Sequence, residues 1–284
     1  MIGKSSVREL LLTLFLLMIV VESRAQSTVR VDSFYMPSLG RTKKITVILP
    51  AAYNPSRRYP VLYLLHGYGG DYTDWTKRTR LTSYINNIPL IIVMPDGENS
   101  WYVNSVTDYQ DKFEDYVTRD IPWYIQKKYA VDSSRQGIAG LSMGGYGALM
   151  LALRHPSLYR FSGSLSGALT IPRVISDTSR QAERNLLPSL KKAFGERPSG
   201  FRNAHDVFYL YKKVSKDSIP YLYLAIGAYD IFKNFLPAHR ALTDLLRTYG
   251  VAYEYHETQG GHTWEYWDRE IQMLIQRMRD VLEF

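Results

Sequence analysis

Cysteine is absent from the 284 residues of this chain. A chain without cysteine can form no disulfide, no thiolate metal site and no cysteine nucleophile. It also offers no cysteine for a lipid anchor. Because a domain of this length can bury a core without disulfide bonds, the absence says nothing about the cellular compartment.

Long apolar runs are scarce, and outside the N-terminus none is long enough to cross a bilayer. The N-terminus has the order of a secretory signal: basic Lys4 and Arg8, an apolar run over residues 10–21, and a cleavage site of small residues ending at Ala25. We therefore expect residues 1–25 to be a signal peptide.

The mature domain is expected to span residues 26–284, to be secreted or periplasmic, and to have no stable membrane insertion after cleavage. An uncleaved membrane anchor is the alternative, because Glu9 and Glu22 are unusual in a signal peptide. The sequence does not choose between periplasm and medium, and it leaves the oligomeric state open.

Charge of one sign is not concentrated anywhere. The formal net charge is +8, of which residues 1–25 carry +1, so the mature chain carries about +7. A basic balance is compatible with nucleic acid or an anionic surface as partner. The basic residues are scattered in short groups such as Lys43-Lys44 and Lys191-Lys192. We therefore predict no nucleic-acid partner and only a weak preference for anionic polymers.

Short apolar runs alternate with helical patterns along the mature chain. Strands are predicted over residues 28–35, 43–49, 61–65, 90–94, 137–139, 161–165, 221–226 and 253–257, and helices over 75–85, 111–129, 146–154, 180–194, 205–214, 236–249 and 264–282. This order predicts a single α/β domain with a mostly parallel sheet, helices on both faces and an antiparallel N-terminal start. Residues 171–216 are the least sheet-like segment and a candidate insertion over the site.

The chain is organised around Gly140-Leu141-Ser142-Met143-Gly144, which lies between a predicted strand and a predicted helix. A serine between two glycines is what a nucleophile elbow needs, since side chains at the glycine positions would collide with the neighbouring strand and helix. The pattern makes Ser142 the candidate nucleophile. The alternative is a structural glycine-rich turn whose serine has no catalytic role.

A serine hydroxyl needs a histidine base, which a carboxylate orients. His262 is the one histidine after Ser142 that lies in a glycine-flanked loop, between the last strand and the last helix. The others lie at a helix end, in helical stretches or in a strand. His262 is therefore the candidate base.

Asp230 is the candidate acid, because it closely follows the predicted strand 221–226 and a strand-end loop would direct it toward His262. Its alternative role is to cap the next helix. Other aspartates between serine and histidine lie in helices or linking loops, among them Asp206, Asp217 and Asp244.

Acyl transfer also requires amide donors for the oxyanion. The residue after the nucleophile supplies one, so Met143 N–H is the first candidate. The second is Tyr68 N–H, with Gly67 as the adjacent possibility, in the glycine-rich loop His66-Gly67-Tyr68-Gly69-Gly70. We expect His66 to hold this loop in shape and to take no part in proton transfer.

Four spaced motifs together resemble the putative esterase family of the α/β-hydrolase superfamily, which groups feruloyl and acetyl xylan esterases (carbohydrate esterase family 1) with esterase D and the mycolyltransferases. The motifs are Leu64-Leu65-His66-Gly67-Tyr68-Gly69-Gly70, Pro95-Asp96-Gly97, Gly140-Leu141-Ser142-Met143-Gly144-Gly145 and Gly260-Gly261-His262-Thr263-Trp264. The resemblance implies an α/β-hydrolase fold and serine carboxylesterase activity with no metal or organic cofactor. It assigns Ser142, Asp230 and His262 as the catalytic triad and the Tyr68 and Met143 amides as the oxyanion hole.

Aromatic residues crowd the loops of the predicted site, and flat rings with a polar edge suit stacking on sugars or aromatic acyl groups. Trp101 and Trp264 are the candidate substrate-binding residues. We expect a secreted esterase acting on acetyl or feruloyl groups of plant polysaccharides or oligosaccharides. The alternatives are acyl transfer to a sugar acceptor, as in mycolyltransferases, and a catalytically idle carbohydrate-binding hydrolase fold.

Overall fold

The computed structural model describes residues 26–173, 181–197 and 199–284. Its sheet has eight strands in the order β1-β2-β4-β3-β5-β6-β7-β8. The strands are β1 Thr28–Met36, β2 Arg41–Leu49, β3 Tyr59–Leu65, β4 Ile91–Pro95, β5 Val131–Leu141, β6 Phe161–Leu165, β7 Tyr221–Gly227 and β8 Tyr253–Thr258. β2 pairs antiparallel with both β1 and β4, and all other neighbours are parallel. The predicted mostly parallel sheet with an antiparallel start is confirmed.

Helices cover both faces of this sheet. They are α1 Asp74–Arg78, α2 Leu81–Tyr84, α3 Phe113–Asp115, α4 Ile121–Lys128, α5 Met143–Arg154, α6 Gln181–Phe194, α7 Gly200–Asn203, α8 Val207–Leu210, α9 Phe235–Tyr249 and α10 Trp264–Leu282. Leu149 of α5 and Leu242 of α9 lie in the core on one face. Trp75 of α1 and Leu274 of α10 lie in the core on the other. Every residue of β3 is buried, as its continuous apolar run predicts for a central strand.

The helix predicted over residues 111–129 is observed over residues 113–128, with a π-helical turn before Pro122. Between α3 and α4 the chain forms a π-helical segment, Tyr116–Asp120, in which the Ile121 N–H donates to Tyr116 O. Pro122 has no N–H for the usual bond four residues back, and its ring crowds the preceding turn. The wider turn accommodates the proline at the start of α4.

Two other predicted helices are also shorter than expected. Residues 75–85 form α1 and α2, separated where Thr79 adopts an extended conformation and its Oγ1 accepts a hydrogen bond from Leu81 N–H. The prediction over 205–214 reduces to α8, which begins after Asp206 because that carboxylate accepts a hydrogen bond from Phe208 N–H. His205 therefore lies in the turn between α7 and α8 and not inside a helix.

The carboxyl ends of the parallel strands meet at one edge of the sheet, where α/β proteins place their sites. β3, β5, β7 and β8 each lead there into a loop that carries a predicted site residue. No helix within the described ranges is long and apolar enough to cross a membrane. The predicted signal peptide, residues 1–25, lies outside the described residues.

Candidate active site

Ser142 occupies a sharp turn between β5 and α5. Its φ is 53° and its ψ is −114°, a conformation that non-glycine residues rarely adopt. A Cβ at Gly140 would lie 2.5 Å from the carbonyl carbon of Gly144, and a Cβ at Gly144 would lie 2.5 Å from His66 O. Both glycines are therefore required by close backbone contacts, as the sequence pattern predicts for a nucleophile elbow.

Asp230, His262 and Ser142 form a continuous chain of hydrogen bonds. His262 Nδ1 lies 2.9 Å from Asp230 Oδ2, and His262 Nε2 lies 2.9 Å from Ser142 Oγ. Asp230 Oδ1 accepts a further bond of 2.9 Å from the Phe232 N–H. With Nδ1–H donating to the carboxylate, Nε2 has a lone pair for the serine hydroxyl proton. The arrangement can therefore activate Ser142 as a nucleophile.

Three aromatic rings surround the imidazole of His262 edge-on. Its ring centroid lies 4.8 Å from that of Phe232, 5.7 Å from that of Phe235 and 4.9 Å from that of Trp267. Trp267 is itself held by a 3.3 Å hydrogen bond from its Nε1 to Ser166 Oγ. This packing restricts rotation of the imidazole, so that the ring stays in the orientation that bonds both Asp230 and Ser142.

The loop after β3 lies against the nucleophile. A Cβ built at Gly67 would lie 3.5 Å from Ser142 Cβ, so the Gly67-Tyr68 backbone passes beside the serine. Neither Tyr68 N–H nor Met143 N–H donates to another described residue. At Met143 this follows from its position as first residue of α5, where backbone donors have no partner in the helix. Both amides can therefore bond an oxyanion at Ser142.

His66 holds that loop through both ring nitrogens. Nε2 accepts a 2.8 Å hydrogen bond from Gly97 N–H, which leaves the proton on Nδ1, and Nδ1 donates to Gly67 O at 2.7 Å. Burial lowers the pKa of His66 and favours this neutral form. In a trans peptide the carbonyl and the next N–H point in opposite directions. Fixing Gly67 O against His66 therefore directs the Tyr68 N–H away from His66.

A cleft of about 820 Å³ opens above Ser142 and His262. The two residues predicted to bind substrate, Trp101 and Trp264, both line it. Trp101 is only 2% exposed, and its Nε1 donates to Ser189 Oγ of α6 at 3.0 Å, so it is a fixed wall. Trp264 is half-buried and rests edge-on against Trp75. Other aromatic residues of the surrounding loops differ in their positions. Tyr68 and Trp267 line the cleft, whereas Trp75 and Tyr102 are buried and Tyr72 and Tyr229 are not among the lining residues.

The segment predicted to cover the site does contribute to the cleft, through Ile171 and through Leu186 of α6. Several lining residues were not predicted: Arg78, Ile231, Phe232, Lys233 and Phe235. Phe232 could have been found, because it lies in the same strand-end loop as the candidate acid. Arg78 could not, since nothing in its helical stretch distinguishes it from its neighbours.

The remaining histidines have structural surroundings. His155 and His205 both bond the buried carboxylate of Glu114, at 2.7 and 3.2 Å. His239 is fully buried in α9 and bonds Phe235 O at 2.8 Å, and burial lowers its pKa to about 4. His256 lies in β8, as predicted. Within the described residues no three His, Cys, Asp or Glu side chains are grouped to hold a metal ion.

The sheet, the elbow and the serine, histidine and aspartate geometry define a serine hydrolase of the α/β-hydrolase fold. Residues 36–278 match the family described as "Putative esterase", and the chain belongs to that family. It is 29% identical over 265 residues to an acetyl esterase of Caldicellulosiruptor saccharolyticus, covering 88% of this chain and 97% of the relative. These matches make the protein an esterase, and the predicted family and fold are confirmed.

Two further comparisons bear on its specificity. The chain is 27% identical over 251 residues to a diacylglycerol acyltransferase/mycolyltransferase of Mycobacterium gordonae, covering 78% of this chain and 73% of the relative. A solved ferulic acid esterase superposes with a TM-score of 0.71 at 25% identity, covering 91% of this chain and 99% of that one. Both hydrolases and a transferase are therefore among its relatives.

Proposed function

We propose that this protein is a secreted serine carboxylesterase that removes acetyl or feruloyl-type acyl groups from plant polysaccharides or oligosaccharides. The observation that carries the proposal is the hydrogen-bonded chain from Asp230 Oδ2 through His262 to Ser142 Oγ, with both bonds at 2.9 Å. The acetyl esterase and the ferulic acid esterase among the similar proteins support the two acyl groups.

In the proposed acylation step, Ser142 Oγ attacks the ester carbonyl carbon while its proton passes to His262 Nε2. The carbonyl oxygen becomes an oxyanion, which the Tyr68 and Met143 amides stabilise. Asp230 keeps the imidazole in the required tautomer and stabilises its cation. When the carbon–oxygen bond of the alcohol breaks, the imidazolium of His262 protonates the departing oxygen, leaving an acyl group on Ser142.

Deacylation repeats these steps with water. His262 takes a proton from the water as its oxygen attacks the acyl carbon, and then returns a proton to Ser142 Oγ as the acid departs. The atoms balance with one water consumed for each ester cleaved, and the chemistry assigned to these side chains needs no cofactor. Trp264 would stack against the sugar or the aromatic acyl group, and Trp101, which is almost fully buried, would form part of the cleft wall.

Export remains part of the proposal and is supported by the sequence of residues 1–25. We propose that these residues are a signal peptide and that residues 26–284 form the esterase domain, in the periplasm or the medium. Mass analysis of the protein after expression with its own N-terminus tests this. A mature chain beginning at Gln26 is expected, and an intact N-terminus in the exported protein would contradict it.

Acyl transfer to a sugar acceptor is the second candidate, and the mycolyltransferase relative favours it. In that reaction a sugar hydroxyl replaces water in deacylation. Product analysis with and without an acceptor sugar separates the two, because a transferase forms a new ester and a hydrolase releases only the free acid. A non-catalytic carbohydrate-binding protein is the third candidate, and it would not react with a fluorophosphonate probe.

The test of the proposed function is a substrate panel with a matched variant. We expect the wild-type protein to hydrolyse short p-nitrophenyl esters and at least one of acetylated xylan and methyl ferulate. Ser142→Ala is expected to lose each of these activities. Retention of hydrolysis by Ser142→Ala would exclude the mechanism, and activity on p-nitrophenyl esters alone would exclude the polysaccharide substrate.

A further inference from the structure

Two cationic side chains line the same cleft as Ser142 and His262. Arg78 comes from α1, and Lys233 comes from the loop between β7 and α9. Most of the other lining residues are apolar or aromatic, and one, Asp74, carries a negative charge. The cleft therefore combines a largely apolar wall with two positive groups from separate parts of the chain.

Arg78 is oriented by contacts that leave most of its donors available. Its guanidinium lies over the ring of Trp264, with Cζ 5.6 Å from the centroid, and its Nε lies 3.5 Å from Asp74 Oδ1. The side chain is 57% exposed, and no described residue accepts a hydrogen bond from it. Stacking on an indole orients the planar guanidinium. Its fork of donors matches the two oxygens of a carboxylate.

Lys233 is exposed beside the aromatic rings that surround His262. It follows Phe232, whose ring lies 4.8 Å from that of His262. Among residues 26–173, 181–197 and 199–284, no acidic side chain forms an ion pair with Lys233. The negative charge of Asp74 is paired with Arg78, so Lys233 is a cation of the cleft lining without an ion-pair partner among the described residues.

Both cations lie on the His262 side of the cleft. Trp264, under Arg78, is two residues after His262, and Phe232, next to Lys233, contacts the His262 ring. In acyl transfer this imidazole protonates the departing oxygen, so the alcohol portion of an ester lies on the histidine side. The carbonyl oxygen instead faces the Tyr68 and Met143 amides. Through Trp264 and Phe232, the two cations lie near the place of the alcohol.

We propose that the alcohol portion of the substrate carries a carboxylate, as in an acylated uronic acid residue, and that Arg78 and Lys233 bind it. The inference rests on the proposed function and narrows its substrate class. Charge-assisted bonds to a carboxylate are stronger than bonds to neutral hydroxyls. An acidic sugar is therefore favoured over its neutral counterpart with the same acyl group.

The test compares two matched substrates, an acetyl ester of methyl glucoside and the same ester of methyl glucuronoside, with kcat/KM measured from acetate release. We expect about a tenfold preference for the acidic sugar at low salt, declining toward equality at high salt, because exposed charges are screened. Arg78→Gln and Lys233→Gln are each expected to reduce the preference about threefold. Lys127→Gln is the matched control, since Lys127 lies on α4 and does not line the cleft. It is expected to keep the full preference.

Equal kcat/KM values for the two sugars in the wild-type protein would overturn the inference. A preference that survives both substitutions would also overturn it. Lys233→Gln decides the matter even if Arg78→Gln fails to fold, because Lys233 lies in an exposed loop. Failure of the proposed function has a different signature: neither sugar would be deacetylated in a Ser142-dependent manner, and p-nitrophenyl acetate would also remain intact.

Discussion

The Nε2 atom of His66 lies 2.8 Å from the backbone nitrogen of Gly97 and accepts its hydrogen bond. This bond fixes the proton of His66 on Nδ1, which in turn holds Gly67 O at 2.7 Å. A histidine outside the hydrogen-bonded chain of Asp230, His262 and Ser142 thus positions the loop that carries the Tyr68 amide. The donor that sets the tautomer of His66 is the Gly97 N–H of the Pro95-Asp96-Gly97 motif, for which the sequence predicted no role.

Replacing His66 should therefore impair catalysis more than binding. We expect His66→Ala to lower kcat on p-nitrophenyl acetate about 10- to 100-fold. Complete loss of one oxyanion donor costs about 10²–10³ in kcat, and the effect here should be smaller because the loop is loosened and the donor is still present. KM should change by less than about threefold, since ground-state contacts remain. Kinetics normalised to fluorophosphonate-titrated sites measure both. His256→Ala is the control, and a raised KM with an unchanged kcat would contradict this role.

Asp230→Asn should reduce kcat by about 10³–10⁴, because an amide would favour the wrong tautomer of His262. The matched control is Asp244→Asn. The sequence also placed Asp244 between serine and histidine, but it lies on the surface of α9 with a side chain that is 66% exposed. Steady-state kinetics on p-nitrophenyl acetate should find the control near wild type. Equal losses in the two variants would show that Asp230 has no special role.

Gly144→Ala should destabilise the fold at the elbow. Its Cβ would lie 2.5 Å from His66 O and 2.7 Å from Leu65 O, which are backbone atoms that cannot move independently. We expect the free energy of unfolding in urea to fall by about 1–3 kcal/mol, the usual cost of overpacking. Gly200→Ala is the control, because a Cβ there meets nothing within 4 Å. An unchanged midpoint for Gly144→Ala would contradict the close contact.

His239 should contribute to the pH dependence of stability. Burial lowers its pKa in the folded protein to about 4, below an ordinary value of 6.5. Between these two values the unfolded chain binds the proton and the folded protein does not, so stability falls as pH falls through this window. The loss between pH 7 and pH 5 should be about 2 kcal/mol.

His239→Asn removes the titrating group and keeps a donor near Phe235 O. Urea unfolding of both proteins at pH 7 and pH 5 measures the free energy of unfolding. The variant should lose about 2 kcal/mol less than wild type over this interval. The same loss in both proteins would mean that His239 takes up its proton equally in the folded and unfolded states.

The sequence was sufficient to predict which chemistry-bearing residues meet. Ser142, Asp230 and His262 each follow an apolar strand, and parallel strands bring their carboxyl ends to one edge whatever the intervening chain does. Helix α10 was also predicted with its observed bounds, because its apolar spacing is regular over many turns.

The contacts that could not be predicted from the sequence depend on packing between distant segments of the chain. Arg78 contacts Trp264 because α1 lies beside the start of α10, and no local sequence pattern encodes that contact. The aromatic rings around His262 depend in the same way on the path of the chain between β7 and α9. The π-helical segment before Pro122 shows a local feature that helical periodicity alone misses, because the period is interrupted where the proline lacks its donor.

Labelling with a fluorophosphonate followed by peptide mapping tests whether Ser142 is the nucleophile. We predict a single label on the peptide that contains Ser142, with loss of p-nitrophenyl acetate hydrolysis in proportion to labelling, and no label on Ser142→Ala. A label on another serine, or a Ser142→Ala protein that hydrolyses the ester at the wild-type rate, would contradict the account.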